Sequence, residues 1–433
     1  PYPARRAPHR VKNTKLLLQP SGSWRFYARR IRRIFPALLP VMAVTFAFGW
    51  HVLLADEFRQ LGKHVVASAG FVSNLVLWNE AGYFDVTAET KPLLHLWSLG
   101  IEEQFYIVWP VLLMLAWKRK YNLLALTLAL GALSMALNLK GIGKNPTATF
   151  YSPQTRFWEL LCGSLLAWAS LHPHPKAVLL KGALDRWIHR ILHRSMPPED
   201  GKAFANALSI LGAGLLAFGF FKIKAELGFP GKWAVVPVLG AACLISAGPK
   251  AWFNRIVLSN RLAVWIGLIS FPLYLWHWPL LSFARIMEGG LPRAEIRIGA
   301  VVLAIALAWL TYRLIERPIR FGAHNRLKIA MLCTVMAGMG ALGYWTFNQK
   351  GLVLRTQSRV EQALLDQTVE PLNTRLSDGS CEKFLSFSMG PGAVCLATAS
   401  APEVLFVGDS HAMSLHSAAA LGKVSIRSML IGN

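Results

Sequence analysis

Residues 92–117 read PLLHLWSLGIEEQFYIVWPVLLMLAW. A helix needs roughly 20 mostly apolar residues to cross the hydrocarbon core. This run has that length, and lipid leaves its backbone polar groups no partner other than a helix's own. His95, Ser98, Glu102 and Glu103 interrupt it. Ionisable groups inside a span cost a few kcal/mol each, so each marks a functional candidate. His95, Ser98 and Glu102 stand at i, i+3 and i+7, on one helical face near Trp97 and Glu103. That face either lines a polar cavity or hydrogen-bonds neighbouring helices.

The rest of the chain repeats the pattern. Of 433 residues 54% are apolar and 16% charged, a polytopic membrane composition. Ten apolar segments stand out, at 35–54, 61–78, 93–117, 122–139, 157–171, 204–221, 233–247, 262–283, 297–315 and 328–347. The net charge of +24 sits in short basic clusters between these segments, which argues against nucleic-acid binding. Arg25, Arg29, Arg30, Arg32 and Arg33 precede the first segment and place its start in the cytoplasm.

Cys381 and Cys395 fall in a polar region after the last segment, where an oxidising compartment would let them pair. Ten crossings would leave that region cytoplasmic, so one segment does not cross. The segment at 61–78 is the weakest, broken by Lys63, His64, Ser68, Ser73 and Asn74. It is expected to be re-entrant or interfacial, leaving nine crossings. The larger share of Lys and Arg then lies on the cytoplasmic side. Leu180, Leu184, Trp187, Ile188 and Ile191 oppose Arg186, Arg190 and Arg194, the pattern of an interfacial helix. The nearby His172, His174, His189 and His193 lack an acidic or Cys ligand to complete a set, so no metal site is expected.

Several other polar groups read two ways. Arg156 and Glu159, three apart, form either a local anchoring ion pair or part of a site. Ser270, Tyr274 and His277 share a face, with His277 either a proton-exchanging group or a satisfied interior hydrogen-bonder. Glu316, Arg317 and Arg320 close a span where they either hold phosphates or anchor it. Arg29, Arg30, Arg32 and Arg33 exceed what orientation needs, and their guanidinium forks suit the phosphates of a nucleotide-like donor.

Beyond a linker at 348–401, a short apolar run precedes Gly408-Asp409-Ser410-His411 and a helical pattern follows. Strand, tight turn and helix together present Ser410 as esterases present a nucleophile. The opening on Pro1 and the stop at Asn433 suggest a sequence cut at both ends.

The stretches Phe26 to Pro36, Pro92 to Tyr106, Arg156 to Leu160, Tyr274 to Pro279 and Glu316 to Arg320 resemble, in order and spacing, the membrane acyltransferase 3 family. The tail resembles the SGNH hydrolase-like domain often fused to that family, with Ser410 as nucleophile and Gly408 and Asp409 beside it. The resemblance implies an all-α polytopic membrane domain over 1–347, followed from 402 to 433 by the start of an α/β SGNH-like periplasmic domain. It implies an acyltransferase of the bacterial inner membrane that draws acetyl from cytoplasmic acetyl-CoA, holds no bound cofactor, and delivers to O-antigen, exopolysaccharide or peptidoglycan. On this reading His95, Glu102, Glu103, His277 and Ser410 are catalytic and Arg29, Arg30, Arg32 and Arg33 bind the donor. Gly408, Asp409, Arg156, Glu159, Tyr274, Glu316 and Arg317 support them. The family's own catalytic His and two spans would precede residue 24, and its remaining SGNH residues would follow Asn433, leaving the given stretch inactive by itself. A glycan or acyl-carrier transporter, or a membrane-tethered esterase, would share some of these features.

Overall fold

The computed structural model describes residues 20–81, 88–193, 201–224, 227–321, 325–352, 355, 394–397, 404–408 and 428–432. They fall into two compact units, Pro1–Val52 with Asp56–Gly351, and Leu53–Ala55 with Leu352–Asn433.

The first unit is helical. Its helices are α1 (Pro20–Val52), α2 (Ala55–Ala69), α3 (Ser73–Glu80), α4 (Leu96–Lys118), α5 (Leu123–Ile142), α6 (Pro146–Tyr151), α7 (Pro153–Leu171) and α8 (Pro175–His193). There follow α9 (Lys202–Lys222), α10 (Val235–Ala247), α11 (Arg261–Glu288), α12 (Ala294–Leu310), α13 (Arg317–Phe321) and α14 (Asn325–Asn348). A π-helical stretch, Thr311–Glu316, joins α12 to α13. Among the described residues seven helical segments are long and apolar enough to cross a membrane: Trp24–Val52, Leu96–Lys118, Leu123–Ile142, Lys202–Lys222, Arg261–Glu288, Ala294–Phe321 and Arg326–Asn348. Each coincides with one of the nine crossings expected above. The other two are α7, 19 residues long with Arg156 and Glu159 in its first two turns, and the shorter apolar helix Gly231–Ala247. The 61–78 segment is divided between α2 and α3, of 15 and 8 residues, each shorter than a crossing requires.

The unit is turned inside out relative to a water-soluble bundle. Phe220, Phe221, Leu262 and Ile245 lie largely exposed, while Asn74, Asn138 and Ser209 are fully buried. Exposed apolar surface on this scale is what lipid solvates. The buried amides join helices through backbone carbonyls: Asn138 Nδ2 donates to Thr155 O at 3.1 Å, and Asn74 Nδ2 to Tyr151 O at 3.0 Å. Small residues let helices touch. A Cβ on Gly62 would stand 2.8 Å from Gly343 O, and one on Gly343 2.7 Å from Gly62 O, so α2 and α14 cross backbone to backbone there. Helix α8 leaves Leu180, Leu184, Trp187 and Ile191 exposed on one apolar face.

In the second unit three strands, β1 (Val394–Ala397), β2 (Val404–Gly408) and β3 (Ser428–Gly432), form a sheet in the order β1-β3-β2. Strand β3 runs antiparallel to β1 and parallel to β2.

Candidate functional site

Helices α1, α4 and α11 bring together polar groups that lie far apart in sequence. Arg30 of α1 donates from Nη2 to Glu103 Oε1 of α4 at 2.8 Å, and its guanidinium lies 3.4 Å from the Tyr106 ring centroid. Tyr27 Oη, one turn earlier, donates to Ile107 O at 3.2 Å. Glu102 is exposed by contact area, yet the charges of Arg30 and Arg33 both act on it. Arg32 turns the other way, with Nε on Ala28 O and Nη1 3.4 Å from Arg320 O. Arg29 and Arg33 are exposed. Of the four clustered arginines, one is thus committed to an acidic partner on α4 and two remain open to a ligand.

Further along α4 the polar face meets α11. Tyr274 Oη donates its proton to the His95 carbonyl, so Ser98 Oγ is the donor in its 2.7 Å contact with Tyr274 Oη. The His95 ring is buried, with its centroid 5.2 Å from Tyr274, 5.8 Å from His277 and 6.5 Å from Trp278. Neither of its nitrogens reaches hydrogen-bond geometry with a described residue; the Leu275 backbone interacts at looser range. Pro279 explains the availability of that group. It has no N–H to give the carbonyl four residues earlier, so Leu275 O loses its helical donor. His277 Nδ1 lies 2.7 Å from Tyr274 O, which sets the proton on Nδ1 and leaves Nε2 as the basic nitrogen of the neutral ring. Ser270 does not join this group: it is exposed and bonds Gly267 O of its own helix.

A second cluster holds the segment leading into α4. Glu80 accepts from Lys63 at 2.7 Å, His64 at 2.8 Å and Lys91 at 3.1 Å. Burial pushes the Glu80 carboxyl up, but the bonds to its three partners and the His64 charge outweigh that and hold it far below the usual carboxylate range. The Lys91 carbonyl in turn accepts from Trp278 Nε1 at 2.9 Å, which ties this cluster to the ring beside His95. Sequence reading passed over Glu80 and Lys91. The available signal was the Lys63-His64 pair inside an apolar segment, which required an acidic partner nearby.

Arg156 and Glu159 pair at 2.8 Å, with the guanidinium 5.3 Å from the Trp97 ring, 5.7 Å from Phe150 and 5.6 Å from Phe229. The ion pair is therefore boxed by aromatic faces from three segments. The π-helical turn of Thr311–Glu316 faces two polar groups inward. Thr311 Oγ1 accepts from Trp276 Nε1 at 3.0 Å, and buried Glu316 pairs with Arg320 at 3.0 Å, while Arg317 is exposed. Ser410, Asp409 and Cys381 lie outside the described residues; Gly408 ends β2 and Cys395 lies in β1.

The fold and these polar groups define a multi-pass helical membrane protein that carries charge within its spans. A family described as an acyltransferase domain matches residues 16–313, and the chain belongs to it. It is 30% identical over 324 residues to the peptidoglycan O-acetyltransferase OatA of Listeria monocytogenes, covering 71% of this chain and 47% of that protein. It is 29% identical over 305 residues to the putative peptidoglycan O-acetyltransferase YrhL of Bacillus subtilis, covering 68% and 45%. The putative O-acetyltransferase SACOL0978 of Staphylococcus aureus is 29% identical over 306 residues, covering 68% and 47%. The chain spans about half the length of the curated relatives it matches. No solved structure matches it.

Proposed function

We propose that this protein is an O-acetyltransferase that draws acetyl from cytoplasmic acetyl-CoA and delivers it to a cell-wall polysaccharide outside the membrane. The observation that carries the reading is the pair of polar groups on α1, α4 and α11, Arg30 with Glu103 and Ser98 with Tyr274, His95 and His277, between which the Glu102 carboxylate feels Arg30 on one side and acts on Tyr274 on the other. Such groups are costly in lipid and suit passage of a polar, reactive group. Two relatives whose names specify peptidoglycan O-acetylation favour that glycan as acceptor over O-antigen or exopolysaccharide.

In this mechanism Arg29 and Arg33 hold the donor's phosphates, Arg32 stays on the Ala28 and Arg320 carbonyls, and Arg30 is kept in register by Glu103. Glu102 balances the arginine charge where the thioester arrives. The basic Nε2 of His277 and the His95 ring serve as the proton-handling groups, with Tyr274 fixing the His95 backbone. Arg156 and Glu159 support the start of α7, and Glu316 and Arg317 the end of α12. The finer reading of the tail is that residues from 402 begin an SGNH-like periplasmic domain in which Ser410, flanked by Gly408 and Asp409, passes the acetyl group to a sugar hydroxyl. A Cys381–Cys395 disulfide would brace it.

The test is acetyl transfer by the full-length protein in vesicles supplied with labelled acetyl-CoA inside and glycan outside. Label should reach the glycan, and Ser410→Ala should abolish its arrival. Unchanged glycan labelling in Ser410→Ala would remove Ser410 from the mechanism. Export of glycan without consumption of the donor would favour a transporter, and falling glycan acetylation on expression an esterase.

A further inference from the structure

Segment 91–95, which leads into α4 and carries His95, is held from two sides. On one side stand two donors of α11, one helical turn apart. Tyr274 Oη donates to the His95 carbonyl, and Trp278 Nε1 donates to the Lys91 carbonyl at 2.9 Å. The Lys91 carbonyl has a second lone pair, which takes the Leu94 amide at 3.1 Å, so this one oxygen closes the turn and fastens it to α11. His277 stands between the two donors in sequence, its ring centroid 5.7 Å from that of Tyr274, 6.4 Å from Trp278 and 5.8 Å from His95.

On the other side the Lys91 side chain, 10% exposed, reaches Glu80, the last residue of α3. Its ammonium and His64 Nε2 share Glu80 Oε2 at 3.1 and 2.8 Å, and Lys63 takes Oε1 at 2.7 Å. Helix α3 is itself anchored. Gln104 Nε2 of α4 donates to Asn74 Oδ1 at 2.9 Å, and Asn74 Nδ2 donates to Tyr151 O. Glu80 is therefore a fixed point, and Lys91 is the strut between it and the segment that carries His95.

A buried ion pair gains little net stability over an apolar pair, because desolvation offsets most of the attraction. Ordering a lysine side chain costs up to about 2 kcal/mol more in lost rotamers. Such a strut suits placement better than stabilisation. We infer that Glu80 and Lys91 are positioning residues: through the Lys91 carbonyl and Trp278 they set where His95 stands against His277. The inference rests on the reading of these two histidines as the proton-handling groups, and assigns the spacing between them to an ion pair on other elements. An error of about 1 Å in such spacing is enough to slow a reaction about a hundredfold.

The test measures acetyl transfer by the full-length protein in the vesicle assay above. Separately it follows the His277 ring resonance of protein carrying isotope-labelled histidine in nanodiscs, assigned by its loss in His277→Gln. Lys91→Met should lower kcat about tenfold or more with KM for acetyl-CoA unchanged, and should shift the resonance. Trp278→Phe keeps a ring but loses the N–H, so it should lower kcat similarly. The two losses should not multiply when combined, since both act through one link. Lys63→Met breaks an ion pair to the same carboxylate without touching that link. It should lower the melting temperature but leave kcat and the resonance as in wild type. Equal kcat loss in Lys63→Met and Lys91→Met would make the cluster structural only and overturn the inference. Unchanged kcat or an unmoved resonance in Lys91→Met would also overturn it, as would multiplying losses in the double variant. Glu80→Gln, which preserves the shape of the cluster, replaces Lys91→Met if that variant does not fold. If wild-type protein consumes no acetyl-CoA, the acetyltransfer reading fails, and the resonance alone then decides the positioning.

Discussion

Arg30 and Glu103, 73 residues apart in sequence, meet as a 2.8 Å ion pair whose side chains are 17% and 11% exposed. The guanidinium is also sandwiched against Tyr106. In a span, removing one partner leaves the other charged and unpaired, at a cost of roughly 3–5 kcal/mol. Arg30→Gln and Glu103→Gln should each lower the melting temperature of the purified protein, and the double variant should lose less than the sum of the two. A double-mutant cycle with no coupling would mean that the pair adds nothing to the α1–α4 contact.

Tyr274 joins α11 to α4 through one hydroxyl that donates to the His95 carbonyl and accepts from Ser98. Tyr274→Phe keeps the ring against His95 but removes both bonds, which should cost about 1–3 kcal/mol of stability. Because the His95 backbone is then less fixed, acetyl transfer should fall further than stability does. The comparison is transfer rate against melting temperature for Tyr274→Phe and Ser98→Ala. Parallel losses in both would reduce Tyr274 to a packing residue.

The Glu80 cluster predicts an acid limb in stability. The folded carboxyl is held far below its ordinary value of about 4.5. A depressed folded value gives stabilisation that is fully present above the unfolded value and is lost as pH falls below it, toward the folded one. Melting temperature should therefore hold from neutrality to about pH 5 and decline below. Glu80→Gln should lower the plateau and flatten the decline. An acid limb of equal slope in wild type and variant would assign it to other carboxylates.

What could be read from sequence follows how locally each contact is made. The Arg156–Glu159 pair is three residues apart on one helix, so spacing alone foretold it, although not the rings of Trp97, Phe150 and Phe229 around it. The shared face of His95, Ser98 and Glu102 was legible from helical period. Its counterpart on α11 was legible only as a second set sharing a face, Ser270, Tyr274 and His277, of which Ser270 is exposed and bonds its own helix, because period does not tell which part of a face meets a neighbour. Glu80 and Lys91 were missed because their partners come from α2 and from the segment before α4.

The order of residues by itself determined that the chain must form apolar helices, since only a helix satisfies its own backbone in lipid, and it marked which side chains are too costly to be there without cause. It could not determine their partners. Only the packed helices decided that Arg30 faces Glu103, that Tyr274 links Ser98 to His95, and that Pro279 frees the Leu275 carbonyl beside a histidine. Helical period fixes the face on which a residue lies, whereas the partner of that face is set by the depth, tilt and rotation at which separate helices meet.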